Sequence, residues 1–321
     1  MTNGPWGRPP DARAVWPPDP GERRRRAAVS VPGVTGRRLP FQVGPGASHM
    51  ALDAALLRCA ARGEAPPTLR FYRWVPPAIS VGYGQRDVSP PHAVCAARGW
   101  HVVRRPTGGR GILHRGSLTY AIVLPPGGAW EAWSVAEATR RIHAGLAYGL
   151  RGLGIRASLR PVTGDGRGGT PRRADRSAAG VPGAPPCDDA CCLFRSTPAD
   201  LLIEGRRLGG SAQRRTGGAI LQHGILLEAL ESEAWAAAFR LGPAATRVLA
   251  ETTVGLVGDR APAGDGPFVD GLAAGLGEVL GIVWQAGALE SEEMAEPRTW
   301  LESGDGAAWP EEGPMRPGGH P

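Results

Sequence analysis

Apolar residues recur along the 321-residue chain in short runs punctuated by Gly, Pro and Arg. Met50, Ala54 and Leu57 fall three and four apart, on one face of a helix that Ser48 would cap. The runs at 69–74 and 78–83, separated by Pro76-Pro77, read as strands. Pro90-Pro91 would open a short helix that Gly99 closes. A strand at 100–104 then runs into a glycine loop at 105–111, and another strand covers 118–124. Ser134 and Glu137 have capping-box spacing and start a helix running toward Leu150. Residues 200–228 read as three consecutive strands, with turns near Glu204-Gly205 and Thr216-Gly217-Gly218. Phe268, Leu272, Leu276, Val279 and Leu280 share one stripe of a final helix.

Composition sets the boundaries. Much of the Gly and Pro lies at 1–44, 162–186 and 289–321, which lack apolar periodicity and read as a disordered tail, a flexible insert and a second tail. What remains, 45–288, is one α+β domain without internal repeats.

The formal charge is +7 and every cationic side chain is arginine, since the chain contains no lysine. A basic surface suits an acidic partner. No helix-turn-helix, finger spacing or RNA-binding aromatic signature accompanies it, so no nucleic-acid partner is expected. No run is long enough to span a bilayer, and the segment after Arg23–Arg26 is too short for a signal-peptide core, which implies a cytoplasmic protein without a membrane partner. Five cysteines without an export signal argue against a disulfide framework. Cys59 and Cys95 sit in alanine-rich helical stretches and read as small buried apolar residues. Cys187, Cys191 and Cys192, with Asp188 and Asp189, lack the paired Cys-x-x-Cys spacing of a metal clip, so no metal is expected.

Two segments carry candidate chemistry. Arg104-Arg105-Pro106-Thr107-Gly108-Gly109-Arg110-Gly111-Ile112-Leu113-His114 combines glycines that admit close backbone approach with arginine forks suited to anions. A plain tight turn would have the same wording, and no Walker loop or dinucleotide fingerprint is present. Gly205-Arg206-Arg207-Leu208-Gly209-Gly210-Ser211-Ala212-Gln213 places small residues inside a strand, where a ligand or another backbone packs close, or where the strand bulges. His114 and His223 are possible proton carriers.

Together these segments resemble the biotin/lipoate ligase and acyltransferase superfamily, nearest to the cysteine-dependent octanoyltransferases of lipoate assembly. The resemblance also takes in Ser48-His49-Met50-Ala51-Leu52-Asp53, Leu69-Arg70-Phe71-Tyr72-Arg73-Trp74, Ser80-Val81-Gly82-Tyr83-Gly84-Gln85 and Leu118-Thr119-Tyr120. It implies a mixed, largely antiparallel central sheet with a smaller second sheet, flanked by helices, and an acyl tunnel under the glycine loop. It implies substrate contacts from Arg105, Thr107, Gly108, Gly109, Arg110, His114, Gly210, Ser211, Gln213 and His223. It places a nucleophile eight residues before Asp200, at Cys192, with Cys191 as the second candidate because the aromatic that follows is displaced to Phe194. A thiol there could carry an acyl group as a covalent intermediate.

The resemblance further implies acyl carrier protein as donor, a lipoyl carrier domain such as the glycine cleavage carrier protein as acceptor, and no cofactor. Where the superfamily has a lysine in the meander, this chain has Arg207, which stays charged and supports a catalytic site electrostatically rather than as a base. Ser117 and Ile225 also depart from the pattern. An ATP- and Mg-dependent lipoate–protein ligase is the alternative; Arg110 within the glycine run, the lack of room after 288 and the presence of Cys192 weigh against it. A non-catalytic acyl-binding homologue is a second alternative, supported by Arg207.

Overall fold

The computed structural model describes residues 33–85, 92–161, 191–194, 196–256 and 265–294. The long strands β7 (Ser117–Leu124) and β12 (Ala219–Leu227) are buried at every residue, as strands covered on both faces must be. They pair antiparallel, with His223 opposite Ala121 and Gly224 opposite Tyr120. β3 (Thr68–Trp74) pairs antiparallel with the other edge of β7, and β11 (Gly209–Thr216) with the other edge of β12. β1 (Val34–Arg38) and β2 (Gln42–Gly44) lie parallel along successive halves of β3, and β13 (Ile282–Ala286) closes the far edge beside β1. The central sheet is therefore mixed. Two three-stranded sheets accompany it. One joins β4 (Ala78–Val81), β5 (His101–Arg104) and β6 (Ile112–His114); the other joins β8 (Ala157–Leu159), β9 (Leu201–Ile203) and β10 (Arg206–Arg207).

Alternation along the strands sorts side chains to two faces. Leu69, Phe71, Tyr120, Ile122 and Ile220 pack with α3 (Val135–Gly152) and α6 (Asp265–Leu280). Tyr72, Trp74, Ala121, Val123 and Leu221 pack with α1 (Gly46–Ala61). The helices α3 and α6 meet through glycines: a β-carbon on Gly275 would stand 2.3 Å from the Gly149 nitrogen, and one on Gly149 would stand 2.5 Å from the Gly271 carbonyl oxygen. A third apolar cluster joins α2 (His92–Ala97), Leu113, Phe194 and Trp235, the last from α4 (Ser232–Phe239), with Leu249 from α5 (Pro243–Thr252).

The expected helix starts are half right. Ser134 Oγ accepts the Glu137 N–H at 3.1 Å and caps α3. Ser48 caps nothing, because α1 begins at Gly46 behind Pro45, without a side-chain cap. The meander at 200–228 contains a fourth strand, because β10 pairs with β9 before the chain turns into β11. Cys59 and Cys95 are buried in α1 and α2, as expected.

Both expected tails overlap ordered structure. β1 and β2 lie within 1–44, although their three- and five-residue lengths give no legible period. At the other end, buried Glu293 forms an ion pair with Arg37 of β1, and the Glu290 N–H donates to Glu293 at 2.8 Å. The sequence cue failed there because a long-range ion pair and a single apolar residue, Leu289, rather than an apolar stripe, hold the segment. Residues 1–32 and 295–321, Pro90-Pro91, the insert at 162–186, Cys187, Asp188 and Asp189 lie outside the described residues. Among the described residues, no helix is long and apolar enough to cross a membrane, and no cluster of three ligating side chains could hold a metal ion.

Candidate active site

The glycine loop links β5 to β6 and folds back onto the end of β4. Tyr83 N–H donates to the Thr107 carbonyl at 2.9 Å and Arg105 N–H to the Val81 carbonyl at 3.0 Å. Gly82 permits this approach, since a β-carbon there would lie 2.1 Å from the Gly109 carbonyl oxygen; Gly109 itself has φ +89°. The buried Arg105 side chain turns inward. Its Nε donates to the Gly108 carbonyl at 3.1 Å, Nη1 to the Ser80 carbonyl and hydroxyl at 3.0 and 3.1 Å, and Nη2 to the Gly108 and Arg110 carbonyls at 2.6 and 2.8 Å. A guanidinium has five N–H bonds, and these contacts use them all. Arg104 likewise donates to the Gly82 and Tyr83 carbonyls, at 2.9 and 3.1 Å. The expected anion fork is thus, at Arg105, the brace of the loop. Burial pushes its pKa down to about 10, against the opposing pull of Cys192, so it remains cationic at neutral pH.

Cys192 opens a single 3-10 turn, Cys192–Phe194, pinned to the loop by its own N–H donating to the Gly111 carbonyl at 3.0 Å. Cys191 is fully buried in the third apolar cluster, whereas Cys192 is half-buried and faces the cavity. This separates the two candidates. Arg207, buried on β10, donates through Nη1 to the Cys192 carbonyl at 3.1 Å and through Nε to the Gly209 carbonyl at 2.6 Å; its Nη2 stands 3.5 Å from Asp200. Asp200 is in turn fixed by Thr197, whose hydroxyl donates at 2.7 Å. A β-carbon on Gly210 would sit 3.2 Å from Cys192 Sγ and 3.4 Å from Arg207 Nη2. Thiol and guanidinium therefore flank one bare backbone position.

Opposite the loop lies a buried polar chain. Asp53 of α1 accepts from Arg70 at 2.6 Å, from Tyr72 at 2.7 Å and from His223 Nδ1 at 2.8 Å. Burial raises the Asp53 pKa, but Arg70 and the hydrogen bonds outweigh it and hold the carboxyl below its usual range. With Nδ1 donating to the carboxylate, His223 Nε2 accepts from the buried Thr107 hydroxyl at 2.6 Å. His49 closes the far side: its Nδ1 accepts from Arg70 at 3.0 Å and its Nε2 donates to the Arg73 carbonyl at 3.0 Å. Burial, aided by Arg70, pushes the His49 pKa down to about 4, so its ring is neutral at neutral pH.

His114 lies flat on Trp74, with ring centroids 3.6 Å apart and planes 10° apart, and its Nε2 meets Ser80 Oγ at 2.9 Å. Burial, then Arg105, depresses its pKa well below the ordinary value. His143 of α3 meets the Ala199 carbonyl through Nδ1 at 2.5 Å and Ser211 Oγ through Nε2 at 2.9 Å, and burial depresses it too.

These elements line one narrow cleft, partly open to solvent. Of the expected site residues, Arg105, His114, Cys192, Gly210, Ser211 and His223 line it. Arg207 adjoins it through Gly210. Thr107, Gly108, Gly109 and Arg110 stand behind the lining, where Thr107 bonds His223 and the Gly108 and Arg110 carbonyls receive Arg105. Gln213 does not line the cleft: its amide donates to Gln222 at 2.9 Å and its carbonyl accepts from Arg215 at 2.8 Å. It lies two residues beyond Ser211 on the same face of β11, farther along the strand than the lining reaches. The sequence did not assign Met50, Ile112 and Ile225, the apolar walls, or Asp53 behind His223; Met50 and Asp53 both stand in the motif at 48–53.

The family model of the lipoyl protein ligase A/B catalytic domain matches residues 45–247. The chain is 36% identical over 266 residues to the octanoyltransferase LipM of Kyrpidia tusciae, covering 81% of this chain and 92% of that protein. It is 37% identical to the octanoyltransferase LipM of Symbiobacterium thermophilum, over 81% of this chain and 91% of that protein. A bi-partite lipoate protein ligase from Thermoplasma acidophilum superposes with a TM-score of 0.63 at 20% identity, covering 84% of this chain and 92% of that one, a likeness of fold. The chain belongs to the lipoyl protein ligase A/B catalytic domain family.

Proposed function

We propose that this chain is an octanoyltransferase that takes an octanoyl group from acyl carrier protein onto Cys192 and passes it to a lysine of a lipoyl carrier domain. The carrying observation is Cys192 at the wall of the cleft, half-exposed beside Gly210, in a chain that matches octanoyltransferases at 36–37% identity over 81% of its length.

A thioester donor brings its own activation, so no nucleotide is required. The Cys192 sulfur attacks the acyl carbon, the carrier thiolate departs, and the acyl-enzyme splits a difficult exchange into two easier ones. Gly210 leaves the space at the sulfur open, while Met50, Ile112 and Ile225 give the acyl chain apolar walls. Arg105 and Arg207 place fixed positive charge around a centre that develops negative charge. The basic composition suits acidic carrier proteins.

Intact-protein mass spectrometry after incubation with octanoyl acyl carrier protein, without ATP, tests this. Wild type should gain one octanoyl increment that hydroxylamine removes, and Cys192→Ala should gain none. Absence of the adduct on wild type would sink the transferase reading.

A further inference from the structure

The second step needs a proton acceptor. An amine that attacks a thioester must shed a proton from nitrogen before the amide is complete. The chain has no lysine, and both arginines at the site are committed to carbonyls and to Asp200. Among the side chains that line the cleft, the groups with a lone pair basic enough to take that proton are the imidazoles of His114 and His223 and the Cys192 sulfur. His114 is ill suited: it is stacked on Trp74, Arg105 stands beside it, and no carboxylate is bonded to its other nitrogen, which meets Thr119 Oγ at 3.4 Å. His223 differs because a buried carboxylate, Asp53, is bonded to its far nitrogen.

We propose that His223, oriented by Asp53, takes up the proton shed by the acceptor amine as it attacks the acyl group on Cys192. This rests on the octanoyl-transfer reading and adds a residue to it. The amine nitrogen forms the C–N bond, the C–S bond breaks, and the sulfur leaves with the electron pair. The proton passes from nitrogen to His223 Nε2 as the Thr107 hydroxyl turns away from it, and its return to the sulfur restores the free thiol. Asp53 fixes the tautomer with Nε2 bare and stabilises the imidazolium that forms. It is free to do so because Arg70 and Tyr72 already hold its charge in place. The groups facing His223 are Asp53 from α1, with Arg70 and Tyr72 of β3 behind it, Thr107 and Arg105 from the loop, His114 from β6 and Cys192 across the cleft.

The experiment separates the two half-reactions in the full chain, comparing wild type with His223→Gln. Acyl-enzyme is formed with octanoyl acyl carrier protein and isolated, and transfer to a lipoyl domain is then followed. His223→Gln should still be acylated to completion and should transfer about 10²–10⁴ times more slowly. Transfer from wild-type acyl-enzyme to methoxyamine, read where that amine is uncharged, should rise with pH through an imidazole ionisation and level off. The variant should give a flat profile. Wild-type transfer rates in His223→Gln, equal losses in both half-reactions, or a flat wild-type profile would each overturn the proposal. If the variant does not fold, the wild-type profile decides alone. Failure of wild type to form acyl-enzyme would instead strike the transfer reading itself.

Discussion

Arg207 donates a hydrogen bond to the carbonyl oxygen of Cys192 at 3.1 Å while its Nη2 faces Asp200. One side chain thus ties the turn that presents the thiol to the acidic residue eight positions further on. Its guanidinium acts as a strut as well as a charge, which a shorter or single-headed cation could not do in the same way. Arg207→Met would remove one of the two arginines beside buried Asp200, leaving Arg160 and the Thr197 hydroxyl, so stability should fall by about 1–3 kcal/mol, read as a lower urea midpoint. Arg207→Lys should keep most of that stability but lower kcat, because the Cys192 turn loses its brace.

Cys192→Ser should fold with an unchanged melting temperature, since the side chain is half-exposed and the turn is held by backbone contacts. Cys191→Ser should lower the melting temperature, because it puts a hydroxyl into an apolar cluster. Thermal denaturation of the two variants, side by side, checks the assignment of which cysteine is structural.

Gly82→Ala should collapse the site more than its size suggests. The added β-carbon would meet the Gly109 carbonyl oxygen at 2.1 Å, a backbone atom that cannot swing aside. A loss of about 1–3 kcal/mol is expected, together with weaker acyl binding, measured by denaturation and by titration with octanoate. Gly84→Ala, with open space around it, should leave both unchanged.

Acid should destabilise the fold before the carboxylates titrate. His49 is held neutral down to about pH 4, whereas the unfolded chain protonates it near 6.5. The unfolded state therefore binds more protons between those values, and stability falls as pH drops through that window. His49 alone contributes up to about 3 kcal/mol of that loss. His114 and His143, also depressed, add to it. Asp53, depressed below its usual range, loses its contribution only at still lower pH. Urea denaturation at pH 7, 5.5 and 4.5 should show the decline, and His49→Gln should flatten it.

Truncation after residue 288 should cost stability although that segment reads as a tail. It removes Glu293 and leaves Arg37 beside Thr68 without its carboxylate. About 3–5 kcal/mol is expected for breaking a buried pair, and Glu293→Gln should reproduce part of the loss in the same denaturation assay.

The sequence carried the parts of this site that are local. The glycine loop, the small residues at 209–212 and the spacing from Cys192 to Asp200 each lie within a few residues of one another. What it could not carry is the pairing of side chains far apart along the chain: His223 with Asp53, Arg37 with Glu293, Ser211 with His143. It also could not show which way an arginine points. Arg105 and Arg110 look alike in the loop, yet Arg105 folds inward onto carbonyls, including that of Arg110. Gln213 shows the limit of a motif, because it shares a strand face with Ser211 yet stands beyond the end of the cleft, bonded to Gln222.

A loop braced by an internal arginine has its shape before any ligand arrives. The wall over the cleft need not be ordered on binding, so a ligand pays little conformational entropy there. An incoming acyl chain should therefore associate with a heat-capacity change set by its own buried length, and amide exchange at 105–111 should be nearly the same with the cleft empty or full.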